Sequence, residues 1–384
     1  MRLIRARELE NVTEEDGRAV QYLRGDVEFQ KGNTVLSSQR AYYRQREGLT
    51  SFVESVQMTR ERQVLTVDSL VFDSNNDIAT GFGHVHFTDG EYDLTSDTLT
   101  YFMNADSGIA SGHVRFVQRK QIITARHLIY RKREGEDAAS YTALGSVTIL
   151  EEERKATCGK SIYDATEDFS VLLENPVVVQ EGQTLSGNEI HLHYRDDTLE
   201  RLTVPDRAHI VYRRTGKVQR RVEEGDSVST GFLEKEFVDD MTGRRLEAYL
   251  VDGKLDSVRL EGMATTLYHL FQDSVYEGEN VASGDTITLL FKPDSASGTE
   301  MESVHIVGGS RGEYHPSEDS EDITAPIFYR GETIHYDIPA QRTDLEKSAR
   351  IDYQDTRLEA GHVTVTWEDN LLRASPGPDT LNGT

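Results

Sequence analysis

Gly308-Gly309-Ser310-Arg311-Gly312 matches the G-x-S-x-G pattern, which exposes a nucleophilic serine on a turn between a strand and a helix. Val304–Val307 offers the strand, but Gly312-Glu313-Tyr314-His315-Pro316 is a poor helix start, so a glycine-rich corner accounts for the motif better. His84/His86 and His191/His193 are i,i+2 pairs, each on one strand face. Such pairs can ligate zinc or copper, yet no third ligand is indicated. If Val85 and Phe87 turn inward, His84 and His86 face solvent. The 67 Asp and Glu residues are too many for any pair to stand out as a general acid and base. Neither a Walker motif nor a Rossmann fingerprint occurs. Cys158 is the sole cysteine, which excludes an intrachain disulfide framework and a Cys-based zinc site. It stands in a column of small residues with Ser38, Ser96 and Ala125, and reads as a buried corner residue rather than a nucleophile. These readings point to a chain that is not an enzyme and uses no cofactor or metal.

The elements that carry these residues come from a repeat. Around Val85 stand Phe87, Leu94, Leu99 and Tyr101, with Gly83 in front. The preceding copy reads Val56, Met58, Leu65, Leu70 and Phe72; the following one reads Gly112, Val114, Phe116, Ile123, Leu128 and Tyr130. An earlier copy supplies Gly25, Val27, Phe29, Leu36, Ala41 and Tyr43. A fifth has Gly145, Val147, Ile149, Ala156 and Tyr163, and a sixth Val177, Val179, Leu185, Ile190 and Leu192. Val27, Val56, Val85 and Val114 are each 29 residues apart. Six copies of one apolar pattern mark a repeat protein.

Each column dictates local structure. Val85 and Phe87 alternate with His84, His86 and Thr88, the period of a half-buried strand, and Asp89-Gly90 supplies a hairpin turn. Leu94 and Ser96 share one parity, Leu99 and Tyr101 the other, with Asp97-Thr98 between. A strand changes its inward parity only through a bulge or sharp bend, which places a corner there; Gln39-Arg40, Asp68-Ser69 and Arg126-His127 are its counterparts. The glycines at 25, 83, 112 and 145 mark a bend on the returning strand. The expectation is all-β: bent antiparallel two-strand units, stacked into an elongated two-walled body with an apolar seam. The aromatic column Tyr43, Phe72, Tyr101, Tyr130, Tyr163 fits either pure core packing or the lining of an apolar ligand groove.

Composition agrees. Only 36% of residues are apolar, low for a compact core but suited to a thin two-layer sheet with one face in water. The net charge is −25, unevenly spread: residues 1–135 carry 18 Lys/Arg against 19 Asp/Glu, and the remainder 24 against 48. An acidic chain is a poor polyanion binder, which argues against nucleic acid; the near-neutral N-terminal third is the better contact for an anionic partner. No stretch in residues 1–25 has a signal-peptide core, and no run approaches a transmembrane span. An export leader, if one exists, lies outside this sequence.

Along the chain, Leu3, Ile4, Ala6 and Leu9 form a partial leading copy that reads as an edge strand. The regular repeat defines a domain over residues 1–204, interrupted at Thr203-Val204-Pro205. A divergent second domain follows over 205–369, then a tail over 370–384. Residues 231–248 admit a short helix, and 293–302 and 316–325 read as polar loops.

The repeat G-x-V-x-(apolar), turn, Leu-x-(small)-polar-polar-Leu-x-Tyr resembles the OstA-like family. That family comprises the periplasmic bridge protein of lipopolysaccharide export (LptA) and the soluble N-terminal domain of its outer-membrane translocon partner (LptD). GHVHF…LTSDTLTY and GHVRF…ITARHLIY carry the resemblance most closely. Residues 23–204 fit well and 205–368 more loosely. Residues 326–369 resemble the stretch preceding the barrel in some translocon proteins. The chain departs from the family in being more than twice a usual bridge protein's length and acidic in its second part. The resemblance implies a bent β-jellyroll in the periplasm that passes lipid A acyl chains through its interior and joins other jellyrolls, or itself, by end-to-end edge-strand pairing. Its lining would be Val27, Phe29, Leu36, Tyr43, Leu65, Leu70, Phe72, Val85, Phe87, Leu94, Leu99, Tyr101, Val114, Phe116, Ile123, Leu128, Tyr130, Val147, Ile149 and Tyr163. The alternatives are the soluble N-terminal part of an outer-membrane translocon and a structural or adhesive β-solenoid with a dry, filled core. An interior filled without a groove counts against transport.

Overall fold

The computed structural model describes residues 1–13, 19–133, 138–224, 227–294, 298–320, 323–367 and 371–376, without the side chains of 220–230 and 293–300. Every regular element among them is a β-strand. The chain divides into two compact units, Met1–Pro176 and Val177–Thr384, so the boundary falls before the expected 204/205.

The first unit opens with β1 (Arg2–Arg5) and β2 (Glu8–Thr13), both paired with β3 (Ala19–Lys31), in keeping with an edge strand there. An antiparallel meander follows: β4 (Thr34–Arg44), β5 (Leu49–Arg60), β6 (Gln63–Asp73), β7 (Ile78–Thr88) and β8 (Tyr92–Phe102). It continues through β9 (Ser107–Gln118), β10 (Gln121–Arg131), β11 (Ser140–Glu151), β12 (Arg154–Asp164) and β13 (Phe169–Leu173). Each pair from β3–β4 to β11–β12 breaks register at the expected corner. In β7–β8 the partners run Phe82↔Thr98 and then Val85↔Ser96, so Gly83 and His84 oppose Asp97 alone. That two-against-one bulge reverses the inward parity of both strands.

The returning strand makes the bend with two successive left-handed residues: Gly25/Asp26, Glu54/Ser55, Gly83/His84, Gly112/His113 and Gly145/Ser146. Glycine leads four of the five because left-handed backbone crowds any Cβ. At Gly112 an added Cβ would also lie 2.1 Å from Asp97 Oδ2. In the second copy Glu54 bears the conformation, at φ 68°.

The second unit begins less regularly, with β14 (Val177–Gln180), β15 (Gln183–Ser186), β16 (Glu189–Arg195) and β17 (Thr198–Val204). The sixth copy is out of phase with the sequence reading in its first strand, where Val178 is buried while Val179 is exposed; Ile190 and Leu192 are buried as expected. The left-handed pair Glu174/Asn175 just before it provides the bend that shifts the parity. Residues 231–248 are extended, not helical: β18 (Ala208–Glu224) and β19 (Ser227–Gly243) form a hairpin of 17 residues a side, and β20 (Arg245–Val251) follows. Arg245–Leu250 pair with β21 (Lys254–Gln272), which fixes a strand where local propensity allowed a helix. Next come β22 (Val275–Asp294), β23 (Gly298–Pro316), β24 (Ile327–Asp337), β25 (Arg342–Tyr353), β26 (Thr356–Thr366) and β27 (Leu371–Ser375).

Two readings change here. Gly298–Pro316 is a strand, so the polar loop expected over 293–302 is shorter; residues 295–297 lie outside the described residues. Part of the expected tail is β27, which pairs with β26 through Val363↔Ala374 and Val365↔Leu372. The outermost described strand at this end is therefore β27, and Val363 is fully buried.

Candidate functional site

In the first unit the bends fold the meander into two facing walls. The first wall holds the strand halves next to the short hairpin turns, such as Val85–Thr88 and Tyr92–Ser96. The second holds the other halves, such as Ile78–Phe82 and Thr98–Phe102. Of the inward columns expected from sequence, Val27, Phe29, Leu36, Leu65, Leu70, Phe72, Val85, Phe87, Leu94, Leu99, Tyr101, Val114, Phe116, Ile123, Leu128, Tyr130, Val147, Ile149 and Tyr163 are all buried. Tyr43 is half-buried, with its ring 5.4 Å from Phe29. Burying one such side chain contributes about 1.5–3 kcal/mol, so the columns hold the walls together.

Aromatic rings meet across the space. Phe87 lies 4.9 Å from Tyr101, Tyr92 lies 5.5 Å from Tyr130, and Phe116 lies 6.0 Å from Tyr141. Phe29 and Phe52 meet edge to face at 5.6 Å. The walls are thus in contact, and these columns touch one another. Tyr92, Tyr141 and Phe52 belong to the interior but were missed by the column pattern, because these positions do not recur as apolar: 29 residues after Phe52 stands Gly81, and 29 after Tyr92 stands Gln121. Tyr92 follows the turn at Asp89-Gly90 and sits over Lys132, whose Nζ is 5.9 Å from the ring. Burial pushes the Tyr130 and Tyr92 phenols well above their ordinary range.

Opposite the corner the turns of the two walls face each other, and a row of polar side chains joins them. Lys31 Nζ reaches Ser74 O at 2.6 Å and Asp77 Oδ1 at 2.5 Å. Arg60 Nη1 donates to Met103 O at 2.8 Å, and Gln63 Nε2 to Asp106 Oδ1 at 3.0 Å. Lys132 Nζ meets Asp89 Oδ2 at 3.0 Å and also Glu91. Gln118 and the Ala139 backbone exchange two bonds, of 3.1 and 2.7 Å. Arg119 Nη1 bonds Asp168 at 3.1 Å and the Tyr163 hydroxyl at 3.2 Å.

Sequence reasoning missed this seam, yet a signal exists. An acid lies five residues after the aromatic column at Asp77, Asp106 and Asp168, where the first copy has Gly48. All four positions are left-handed, which Asp tolerates better than most residues. The same acids accept bonds from the column: Tyr101 OH to Asp106 at 2.5 Å, Tyr163 OH to Asp168 at 2.8 Å.

The chemistry-bearing residues fall elsewhere. His84 and His86 are exposed on the outer face and pair with Asp68 at 2.8 Å and Asp93 at 2.6 Å. Among the described residues no group of three or more metal-ligating side chains gathers. Gly308 and Gly309 are the left-handed pair of a second-unit corner, and Ser310 is buried with its hydroxyl donating to Glu332 O at 3.1 Å. Ser38 and Ser96, also buried at corners, donate instead within their own strands, to Arg40 O and Thr98 O. The G-x-S-x-G match is thus a corner of this fold. Cys158 is buried in its small-residue column, and burial pushes its thiol up to about 11.

With this geometry in view, the comparisons are specific. Residues 93–198 match the family described as LptA/(LptD N-terminal domain) LPS transport protein. That stretch is similar to the LptA/LptD N-terminal family over less than a third of the chain. Among solved structures the chain is similar to LptH of Pseudomonas aeruginosa, the LptA-homologous periplasmic component of its lipopolysaccharide transport device. Identity there is 21%, over 34% of this chain and 77% of that one, with a TM-score of 0.25. No curated protein matches the chain. The family stretch begins inside β8 and carries Leu94, Leu99, Tyr101, Val114, Phe116, Ile123, Leu128, Tyr130, Val147, Ile149 and Tyr163, all buried and inward.

Proposed function

We propose that this chain is a non-catalytic periplasmic carrier of lipopolysaccharide whose first unit takes lipid A acyl chains between its two apolar walls. The observation that carries the reading is that the family stretch holds an unbroken run of the buried inward columns, from Leu94 to Tyr163. The physics is compatible with it. Exposing an acyl chain to water costs about 0.8 kcal/mol per methylene, so a carrier needs apolar contact whose strength changes little along its path. Columns repeated every 29 residues meet that need, because a chain advanced by one repeat finds the same side chains.

The test places photo-crosslinking residues at Phe87, Tyr101, Phe116 and Tyr130 in cells, against His86 and Asp97 outside. Inward probes should capture lipopolysaccharide and outward ones should not. Equal capture at both sets would sink the assignment. A second reading, a structural β-body with a dry core, is favoured by the ring contacts across the walls. It predicts no capture at any position.

The partners follow from the same reading. β1 and β2 in the first unit, and β27 in the second, are outer strands that a jellyroll of the same kind can extend by strand addition. A proline within β27, at Leu372, should weaken such association in a pull-down without emptying the interior. The translocon alternative differs in the partner captured, not in the ligand.

A further inference from the structure

The walls of the first unit are not held alike on their two sides. At the corner, strands β3 to β12 each pass from one wall to the other, so the backbone itself fixes the join. At the opposite side, the described cross-wall ties are made mainly by side chains: Lys31, Arg60, Gln63, Gln118, Arg119 and Lys132. The ties have a period of their own. Arg60–Met103, Gln63–Asp106 and Lys132–Asp89 each span 43 residues, about a repeat and a half of the chain. That spacing sets a turn of the first wall opposite the second-wall turn one and a half units on. The seam is also charge-matched: Lys31 faces Asp77, Arg119 faces Asp168, and Lys132 faces Asp89 and Glu91. Lys132 and Asp89 are the most sheltered of these groups, with side chains 12% and 7% exposed, and the others are part-buried. Behind them the columns are closed to solvent.

We propose that this seam is the entrance to the interior: an anionic amphiphile loads sideways through it, its phosphates drawing Lys31, Arg119 and Lys132 away from their carboxylates while its chains part the walls. The inference rests on the carrier reading and names where and how loading occurs. Phosphate is the fitting exchange partner because it offers each cation the charge-assisted bonds that an aspartate gives up. The alternating arrangement, a cation on either wall, keeps the seam shut without ligand. Lys31 and Arg119 lie on the first wall and Lys132 on the second.

The experiment uses the full chain with Cys158→Ala and two cysteines in exposed turns beside intact ties. One pair is Asn33→Cys with Asn76→Cys, the other Arg62→Cys with Ala105→Cys. Bridging either pair with a short thiol-cleavable crosslinker should cut purified lipopolysaccharide binding roughly tenfold, with recovery on reduction. Spin labels on the same unbridged pairs should report a longer separation once lipopolysaccharide is added, and a smaller change with the dephosphorylated form. Bridged protein that binds as well as unbridged protein, with unchanged spin-label distances, would overturn the entrance while leaving the carrier reading intact. An unmodified chain that binds no lipopolysaccharide overturns the carrier reading, and the entrance falls with it. The second pair guards against a local folding defect in the first.

Discussion

The two units solve one packing problem in different ways. In the first, strands of 11 to 13 residues bend at a fixed place, and a stack of rings fills the space between the walls. In the second, strands lengthen to 19 and 20 residues in β21 and β22, and the β18–β19 hairpin carries exposed Phe232 and Leu233. Near the base of that hairpin, buried Asp239 accepts from His269 Nδ1 at 2.7 Å and faces Arg214 at 3.2 Å, while the Arg214 guanidinium lies 4.2 Å from the Phe271 ring. A buried charge cluster is costly to form and costlier to break on one side. It fixes a particular geometry, whereas the apolar columns of the first unit repeat without naming any one position. A contact that must be equivalent at every rung suits the columns; a projecting arm suits the cluster.

The largest effect should come from charge in the columns. Tyr101→Asp buries a carboxylate where the phenol bonded Gln63 and Asp106, at a cost of several kcal/mol. Chemical denaturation should show the first unit unfolding early or not folding. Phe232→Asp, on the exposed arm of the second unit, should leave the midpoint unchanged. Equal damage from both would erase the contrast between a filled interior and a solvated arm.

The corners give an intermediate test with opposite signs. Gly112→Ala forces a Cβ into left-handed backbone beside Asp97 and should destabilise by about 1–2 kcal/mol. Glu54→Gly relieves the same conformation in the second copy and should stabilise by about 1 kcal/mol, less whatever its exposed pairing with Arg40 contributes. If both changes destabilise, the two corners are not equivalent.

The smallest effect concerns Cys158. Its thiol is raised from the ordinary range to about 11 by burial, so the fold favours the neutral form. The associated stability is complete below an unfolded thiol's pKa of about 8.5 and is lost as pH climbs through about 11. Iodoacetamide labelling of the native chain should stay slow through pH 9 and rise only near that value. Rapid labelling at pH 8 would mean an open corner.

Much of the first unit was legible because its strands repeat. A parity break between Leu94-x-Ser96 and Leu99-x-Tyr101 permits only a bulge, and a glycine ahead of four of the five valines permits the left-handed turn. The inward columns followed from that alone. The seam was hidden because its partners stand 43 residues apart and belong to different copies, so no local window contains both ends. The second unit was legible only where a glycine marks a corner, as at Gly308/Gly309. Its β18–β19 hairpin has no counterpart in the repeat, and the parity of the sixth copy turned on two left-handed residues, Glu174 and Asn175, that carry no glycine.

The central claim is that acyl chains lie between the walls of the first unit. Methyl-labelled protein mixed with lipopolysaccharide bearing a nitroxide on one acyl chain reads this directly, through paramagnetic broadening. Leu94, Leu99, Ile123 and Leu128 face inward and should lose signal, while Ile109 and Ile129, exposed on the outer face, should keep it. Broadening of Ile109 and Ile129 with the inward methyls spared would contradict the account.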